Sequence, residues 1–157
     1  MTSAVIVSTA RTPLTKSWKG AFNMTHGATL GGHVVQHAIQ RAGIEAAEVD
    51  DVIMGCGTPE GASGANIARQ AALRAGCPIT VSGMTVNRFC GSSMSSIHVA
   101  AAQIEAGIGE AYVAAGVESM TMVPQGGLTF DPSPELIASY PDAYMAMGQT
   151  AENVAQR

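Results

Sequence analysis

The chain has 157 residues and a mass of 16.0 kDa, which suits one domain of ordinary size. Only 13% of its residues are charged, against about 25% in an average soluble domain, so we expect other protein surfaces to cover part of it. The net charge of −4, without any run of basic residues, argues against a nucleic-acid partner. No stretch approaches the roughly 20 apolar residues of a membrane span, so the sequence predicts none.

Three cysteines, Cys56, Cys77 and Cys90, fit no zinc motif by their spacing, and they cannot all pair with one another. They are typical of reduced thiols, and we therefore expect a cytoplasmic protein. His33 and His37 stand four residues apart, as two metal ligands on a helix would, but no carboxylate nearby completes a site. The sequence thus predicts no metal site, and these histidines are expected on a solvated helix face.

Apolar runs rich in Val and Ile alternate with Ala-rich stretches of helical period along the first 118 residues. Four strands are predicted, at residues 4–9, 52–56, 80–87 and 111–117. Three helices separate them: residues 25–42, residues 66–75 with Asn66 as the N-cap, and a third helix after Cys90. The third helix carries an apolar stripe of Met94, Ile97, Ala101, Ile104 and Ile108. The order βαβαβαβ is typical of an α/β fold with a parallel-type sheet and helices on both faces.

The sequence becomes irregular from Ser119, with several prolines, and its last residues predict a helix with Thr150 as the N-cap. The chain stops about two turns into this helix, and a helix that short is marginal without a surface to pack against. We therefore expect the chain to be the N-terminal piece of a longer polypeptide.

Residues 87–94 predict a strand, a sharp turn and a helix, with Cys90 at the turn. This is the geometry of a nucleophile elbow, with sulfur in place of oxygen. A helix N-terminus favours the thiolate, and the small Gly91 and Ser92 would let a substrate carbonyl approach backbone N–H groups. A buried structural thiol is the alternative, and the pattern alone leaves both open. Cys56 in an apolar strand and Cys77 before a proline are expected to be structural.

Five segments of the chain carry a family resemblance. The most informative are residues 87–94 (NRFCGSSM) and 114–124 (AAGVESMTMVP), which surround the candidate nucleophile and the strand after it. The others are residues 8–13 (STARTP), 66–72 (NIARQAA) and 147–155 (MGQTAENVA). In this order, and over essentially the whole chain, they resemble the N-terminal portion of the thiolases.

The resemblance implies an acyltransferase that acts between coenzyme A thioesters, by thiolytic cleavage of 3-ketoacyl-CoA or by the reverse condensation of acetyl-CoA. Cys90 would carry the acyl group as a covalent thioester, with its backbone N–H in the oxyanion hole. Met147 would form a wall of the acyl or pantetheine pocket. Coenzyme A and acyl-CoA would be substrates, and no covalently bound cofactor is expected. Ser93 and Ala146 are more similar to the degradative than to the biosynthetic members.

The resemblance also implies an organisation for the chain. Residues 1–118 would be the first part of the thiolase N-terminal domain, and residues 119–157 the start of an inserted loop domain. In the family, a downstream histidine activates the nucleophile and a second cysteine handles the α-proton, and this sequence contains neither motif. The isolated chain is therefore expected to be inactive. Its partners would be the remainder of the thiolase chain and, in a homodimer or homotetramer, further copies.

Two other classes of function stay open. One is a stand-alone α/β cysteine hydrolase or acyltransferase that uses a histidine of this chain, which turnover by the purified chain would support. The other is a non-catalytic interaction module built on half of a thiolase fold, which an unreactive Cys90 would support.

Overall fold

A three-stranded parallel sheet organises residues 3–157, the part of the chain that this computed structural model describes. The strands are β1 (Asp51–Gly55), β2 (Ser82–Val86) and β3 (Tyr112–Gly116). Their order is β2-β1-β3, so the first strand lies in the centre and pairs in parallel with both neighbours. Parallel neighbours cannot be joined by a tight turn, and each crossover here contains a helix.

Five α-helices accompany the sheet in the described residues. They are α1 (Gly27–Ala42), α2 (Ile67–Arg74), α3 (Ser92–Glu105), α4 (Pro134–Ser139) and α5 (Met147–Ala155). Short 3-10 helices lie at Ala46–Glu48, Gly61–Ser63 and Pro141–Tyr144. None of the helices between residues 3 and 157 has the length and apolar character that crossing a membrane requires.

The central strand β1 is buried on both faces, as expected for a parallel sheet. Val52 and Met54 belong to the apolar core that α1 and α2 cover. The residues between them point the other way, because side chains alternate along a strand. Ile53 is fully buried, and Gly55 lies against Ser93 at the start of α3. The predicted α/β class, with a parallel sheet and helices on both faces, is therefore confirmed.

The strand predicted at residues 4–9 is wrong. This segment forms no strand and pairs with none of the three that do, although its composition is that of a buried strand. It lies along α1 instead: the Ser8 hydroxyl donates to the Ala38 carbonyl at 2.6 Å, and Arg41 donates to the Thr9 carbonyl at 2.7 Å. The described order is thus αβαβαβ rather than βαβαβαβ, because an apolar run becomes a strand only where a partner strand accepts its hydrogen bonds.

The predicted boundaries of α1 and α2 are close to the observed ones, but the roles of the capping residues differ. The N-cap of α1 is His26, whose Nδ1 accepts from the N–H of Ala28 at 3.1 Å. Asn66 is the N-cap of α2 by position, yet its side chain makes no capping bond. Its amide donates to the Gly83 carbonyl and accepts from the Thr85 hydroxyl, each at 2.8 Å. Asn66 thus fastens α2 to β2.

The prediction that Thr150 caps the last helix is also wrong. Helix α5 begins at Met147, three residues earlier, with Ala146 as its N-cap. Thr150 lies in the second turn, where its hydroxyl donates to the Ala146 carbonyl at 3.2 Å. A threonine inside a helix commonly bonds back to the carbonyl four residues earlier, which a capping pattern read from sequence does not distinguish.

Helix α3 presents its small residues to the sheet and its apolar stripe away from it. The buried residues of the helix are Ser92, Ser96 and Ala100. Exposed members of the stripe are Met94 (64%), Ile97 (46%) and Ile108 (70%). The cause lies in the strands, because a side chain at Gly55 would overlap the backbone of Ser93, and one at Gly116 would overlap its hydroxyl. The sheet therefore leaves room only for the face of α3 that carries the small residues Ser92, Ser96 and Ala100.

Gly55→Ala is expected to lower the free energy of unfolding by about 1–3 kcal/mol, because the new methyl group would force α3 away from the sheet. Urea denaturation followed by circular dichroism measures the change. Gly148→Ala is the matched control, since a Cβ there meets open space within α5 and replacing a helical glycine stabilises by roughly 0.5–1 kcal/mol. Equal stability of Gly55→Ala and the unchanged protein would contradict this account of the β1–α3 contact.

Candidate functional site

Cys90 lies on the connection between β2 and α3. The strand ends at Val86 and the helix begins at Ser92, so the predicted strand–turn–helix geometry is confirmed. Cys90 is exposed, whereas Cys56 and Cys77 are buried. The structure thus places one thiol of the three at the surface, at the position where the sequence predicts a nucleophile.

The turn that carries Cys90 is held by side chains on either side of it. Phe89 has a φ of 45°, in the left-handed region that few residues other than glycine adopt. The Asn87 side chain accepts from the N–H of Phe89 at 2.8 Å. The Ser92 hydroxyl accepts from the N–H of Arg88 at 2.8 Å and donates to the Phe89 carbonyl at 2.5 Å. These contacts fix the uncommon backbone immediately before the thiol.

A cavity of about 270 Å³ opens beside Cys90. It lies where the carboxyl ends of β1 and β3 meet the amino end of α3, the edge at which parallel α/β sheets bind ligands. Its lining residues are Gly55, Gly57, Phe89, Cys90, Ser92, Ser93, Gly116, Val117 and Glu118. Cys90 and the first two residues of α3, Ser92 and Ser93, therefore face the same cavity.

The amino end of α3 supplies the polar environment of the thiol. Gly91 is the N-cap and provides no side chain to satisfy the first N–H groups of the helix. The backbone N–H of Cys90 makes no hydrogen bond within residues 3–157. Uncommitted donors of this kind stabilise an anion at a helix N-terminus, either a thiolate or the oxyanion formed when a carbonyl is attacked.

Glu118 forms the wall of the cavity opposite the turn and is strongly hydrogen-bonded. Its carboxylate accepts from the N–H of Gly57 at 2.8 Å, from the hydroxyl of Thr58 at 2.8 Å and from the N–H of Thr58 at 3.3 Å. A Cβ on Gly57 would lie 3.5 Å from Phe89, so the loop that Glu118 holds packs directly against the turn before Cys90. Glu118 is therefore a hydrogen-bonded carboxylate that holds this loop in place.

The two buried cysteines are held in the protonated form. Burial, followed by the nearby Glu118 carboxylate, raises the pKa of Cys56 from 9.0 to about 11. Its thiol donates to Glu118 at 3.5 Å, which requires the proton to be present. Burial also raises the pKa of Cys77, an effect that Arg69 partly opposes. Both therefore behave as structural thiols, as the sequence predicts.

Iodoacetamide at near-neutral pH is expected to label Cys90 well before the other two thiols. The thiolate is the reacting form, and Cys56 and Cys77 combine burial with raised pKa values, so little of it is present and reagent access is poor. Peptide mapping after brief exposure measures the order of labelling, and the same reaction in denaturant is the control in which the difference disappears. Preferential labelling of Cys56 or Cys77 in the folded protein would contradict the prediction.

The histidines of the chain all lie away from the cavity that contains Cys90. His26 caps α1, and His33 and His37 contact each other on the same helix, with ring centroids 4.4 Å apart. His98 is an exposed residue of α3 and does not line the cavity. Within the described residues, Cys90 thus has no imidazole beside it to act as a general base.

Met147 is the other residue that the sequence predicts at the site. It is the first residue of α5, is 60% exposed and is not among the residues that line the cavity. The structure therefore does not bring Met147 and Cys90 into one cavity, and the role of Met147 in binding stays a prediction. Nowhere between residues 3 and 157 do three His, Cys, Asp or Glu side chains converge as a metal site would require.

One feature of the site was not predicted from the sequence: the loop at Gly57 and Thr58, which ties Glu118 to the turn before Cys90. One signal could have indicated it: this loop follows the carboxyl end of β1, and Glu118 follows the carboxyl end of β3. The carboxyl ends of neighbouring parallel strands lie at the same edge of a sheet, so the two segments are expected to meet there.

Comparison with known proteins identifies the family. The model of the family "Thiolase, N-terminal domain" matches residues 4–157. The 3-ketoacyl-CoA thiolase of Bacillus subtilis (strain 168) is 43% identical over 157 residues, covering 100% of this chain and 40% of the relative. That of Saccharophagus degradans is 43% identical over 149 residues, covering 94% of this chain and 38% of the relative. The chain thus spans about 40% of the length of these relatives, and it belongs to the thiolase family as an N-terminal portion.

Proposed function

We propose that the protein transfers acyl groups between coenzyme A thioesters through an acyl-Cys90 intermediate. The observation that carries the proposal is the exposed Cys90 thiol at the mouth of a cavity, beside the amino end of α3. The relatives' name, 3-ketoacyl-CoA thiolase, supports a 3-ketoacyl-CoA as the substrate and cleavage as the direction. Ser93 and Ala146 favour the same degradative direction.

In the proposed cleavage, the Cys90 thiolate attacks the 3-keto carbon of the substrate and its sulfur forms the new bond. The carbonyl oxygen becomes an oxyanion, which in this proposal the N–H of Cys90 stabilises; that N–H makes no other hydrogen bond within residues 3–157. The bond between carbons 2 and 3 then breaks, and its electron pair leaves on acetyl-CoA, which takes up a proton. Coenzyme A next loses the proton of its thiol and attacks the acyl-Cys90 thioester, which releases the shortened acyl-CoA and returns the Cys90 thiolate; this proton balances the one that acetyl-CoA takes up. Condensation of acetyl-CoA is the same sequence reversed.

The proposed reaction needs groups beyond those that line the cavity. No histidine of the described residues stands beside Cys90 to take its proton, and Glu118 is already engaged by three donors from Gly57 and Thr58. We therefore propose that residues 1–157 do not turn over alone and act with the remainder of a thiolase chain. In this proposal residues 1–118 belong to the N-terminal domain and residues 119–157 begin an inserted loop domain.

The proposal extends to assembly and location. Large apolar side chains are exposed on several elements, among them Val5, Trp18, Met94 and Ile108. Their number supports extensive coverage by the rest of a thiolase chain and by further copies in a homodimer or homotetramer. The three free thiols among residues 3–157 fit a cytoplasmic location. Sedimentation of the chain completed by the carboxyl-terminal part of a thiolase measures the assembly. A monodisperse, soluble monomer at high concentration would contradict the proposed homodimer or homotetramer.

Mass spectrometry of the protein after incubation with acetyl-CoA tests the proposed intermediate. The 157-residue chain is used both alone and completed by the carboxyl-terminal part of a thiolase. The completed enzyme is expected to gain one acetyl group on the peptide that contains Cys90, and the chain alone to gain it slowly or not at all. Acetylation at a different residue, or release of free acetate as the main product, would contradict the proposal.

A further inference from the structure

A cluster of arginine and histidine side chains lies on the face of the sheet opposite α3. There the segment of residues 8–11 passes along α1 and forms with it a partly open cavity of about 80 Å³. Arg11 of the segment and His33, His37 and Arg41 of α1 line this cavity, together with Ala10 and Val34. The proposed acyl transfer uses neither of these two histidines.

The walls of this cavity are held in place from both sides. The Ser8 hydroxyl donates to a carbonyl of α1, which fixes the segment on the helix. Arg41 donates through Nη1 to the Thr9 carbonyl at 2.7 Å, so one terminal nitrogen of its guanidinium is anchored and the other N–H groups make no hydrogen bond within residues 3–157. His33 and His37 meet edge to face, with ring centroids 4.4 Å apart. The cavity is therefore built by two elements of the fold.

The charge of the cavity contrasts with that of the whole chain. The protein has a net charge of −4 and only eight Lys and Arg residues and four His. Two of those arginines and two of those histidines line this one small cavity, and no carboxylate is among its lining residues in the described part of the chain. Guanidinium groups offer only hydrogen-bond donors, and each imidazole offers at least one. The cavity thus repels a cation and attracts an anion.

We propose that this cavity is a binding site for a phosphate group. Two arginines present planar sets of donors that match the paired oxygens of a phosphate, and the histidines can donate to the remaining ones. The volume also fits: one water needs about 10–15 Å³ by the same measure, so about 80 Å³ accommodates several heavy atoms. The group could be free phosphate or the phosphate of a nucleotide. This inference is independent of the chemistry at Cys90.

Histidine NMR tests the site directly, because the chain has only four histidines. Inorganic phosphate is titrated into the full chain at constant ionic strength and pH, with chloride as the replaced anion. The imidazole signals of His33 and His37 are expected to shift along one saturable curve, while those of His26 and His98 serve as internal references. A parallel titration with adenosine monophosphate separates the two sources, since a tighter curve indicates a nucleotide and an equal one indicates free phosphate.

Charge-removing variants complete the test. Arg11→Gln and Arg41→Gln are each expected to weaken phosphate binding at least about tenfold, because each removes a charged donor. Lys19→Gln, which removes one exposed positive charge outside the cavity, is expected to keep the affinity within about twofold. Because Arg41 also bonds to Thr9, Arg41→Gln could loosen the segment of residues 8–11 from α1. In that case Arg11→Gln still tests phosphate binding. Equal shifts of all four histidines, no saturation up to about 50 mM phosphate, or an equal loss in Lys19→Gln would overturn the proposal.

Discussion

Replacing Cys90 with serine is expected to lower kcat of the completed enzyme by at least about a thousandfold while leaving the fold intact. A serine hydroxyl ionises far less readily than a thiol, so the amino end of α3 cannot supply a comparable nucleophile. The side-chain volume is nearly the same, and Cys90 is exposed, so packing is little affected. Thiolysis of a 3-ketoacyl-CoA measures the loss, and circular dichroism verifies the fold.

Cys77→Ala is the matched control for the nucleophile. Cys77 is buried away from the cavity that contains Cys90, so its loss should reduce stability more than activity. If Cys90→Ser keeps a substantial part of its activity, or if folded Cys77→Ala loses as much, then Cys90 is not the nucleophile.

Glu118→Ala is expected to produce the second largest effect, a fall in kcat of roughly 10- to 100-fold with a smaller change in KM. The substitution leaves the N–H groups of Gly57 and Thr58 without their acceptor. The loop that packs on Phe89 is then free to move, and the strained turn before Cys90 loses one of its supports. The alkylation rate of Cys90 at several pH values is the decisive reading, because it reports the surroundings of the thiol directly.

Two further variants separate positioning by Glu118 from general destabilisation. Thr58→Val removes only the hydroxyl bond to Glu118 and is expected to give a smaller effect of the same kind. Glu118→Gln keeps one carbonyl acceptor and is expected to recover part of the activity that Glu118→Ala loses. A Glu118→Ala protein that is less stable but has the same pH profile of Cys90 alkylation would show that the carboxylate stabilises the fold without positioning the nucleophile.

The three strands of the sheet could be predicted because each lies in a short segment of strand-like composition, although only β1 is fully buried and β2 and β3 are partly exposed. The predicted ranges 52–56, 80–87 and 111–117 overlap β1, β2 and β3 almost completely. Residues 4–9 have the same local pattern but no partner strand in the described chain. A local pattern reports how readily a segment would become a strand, whereas pairing depends on what lies beside it. The strand at residues 4–9 was predicted wrongly because the local sequence does not show whether a partner strand lies beside it.

The same distinction applies to the site. The turn at Cys90 could be predicted because a few consecutive residues determine a strand, a turn and a helix. The contact between Thr58 and Glu118 spans 60 residues and depends on which strand ends meet at the sheet edge. The buried face of α3 also could not be predicted from the spacing of apolar residues along the helix. Gly55 and Gly116 in the strands determine it, because they leave room only for small side chains of α3.

The glycines around Cys90 also determine how this cavity can be redesigned. Gly55 and Gly116 form part of its wall, and any side chain there would collide with the start of α3. The cavity therefore cannot be narrowed from the sheet side without displacing α3, whose amino end follows Cys90. Phe89 and Val117 are the lining residues whose apolar side chains can be exchanged for larger or smaller ones. If the cavity accepts the acyl chain as proposed, libraries that aim to alter this chain should vary Phe89 and Val117 and leave the glycines unchanged.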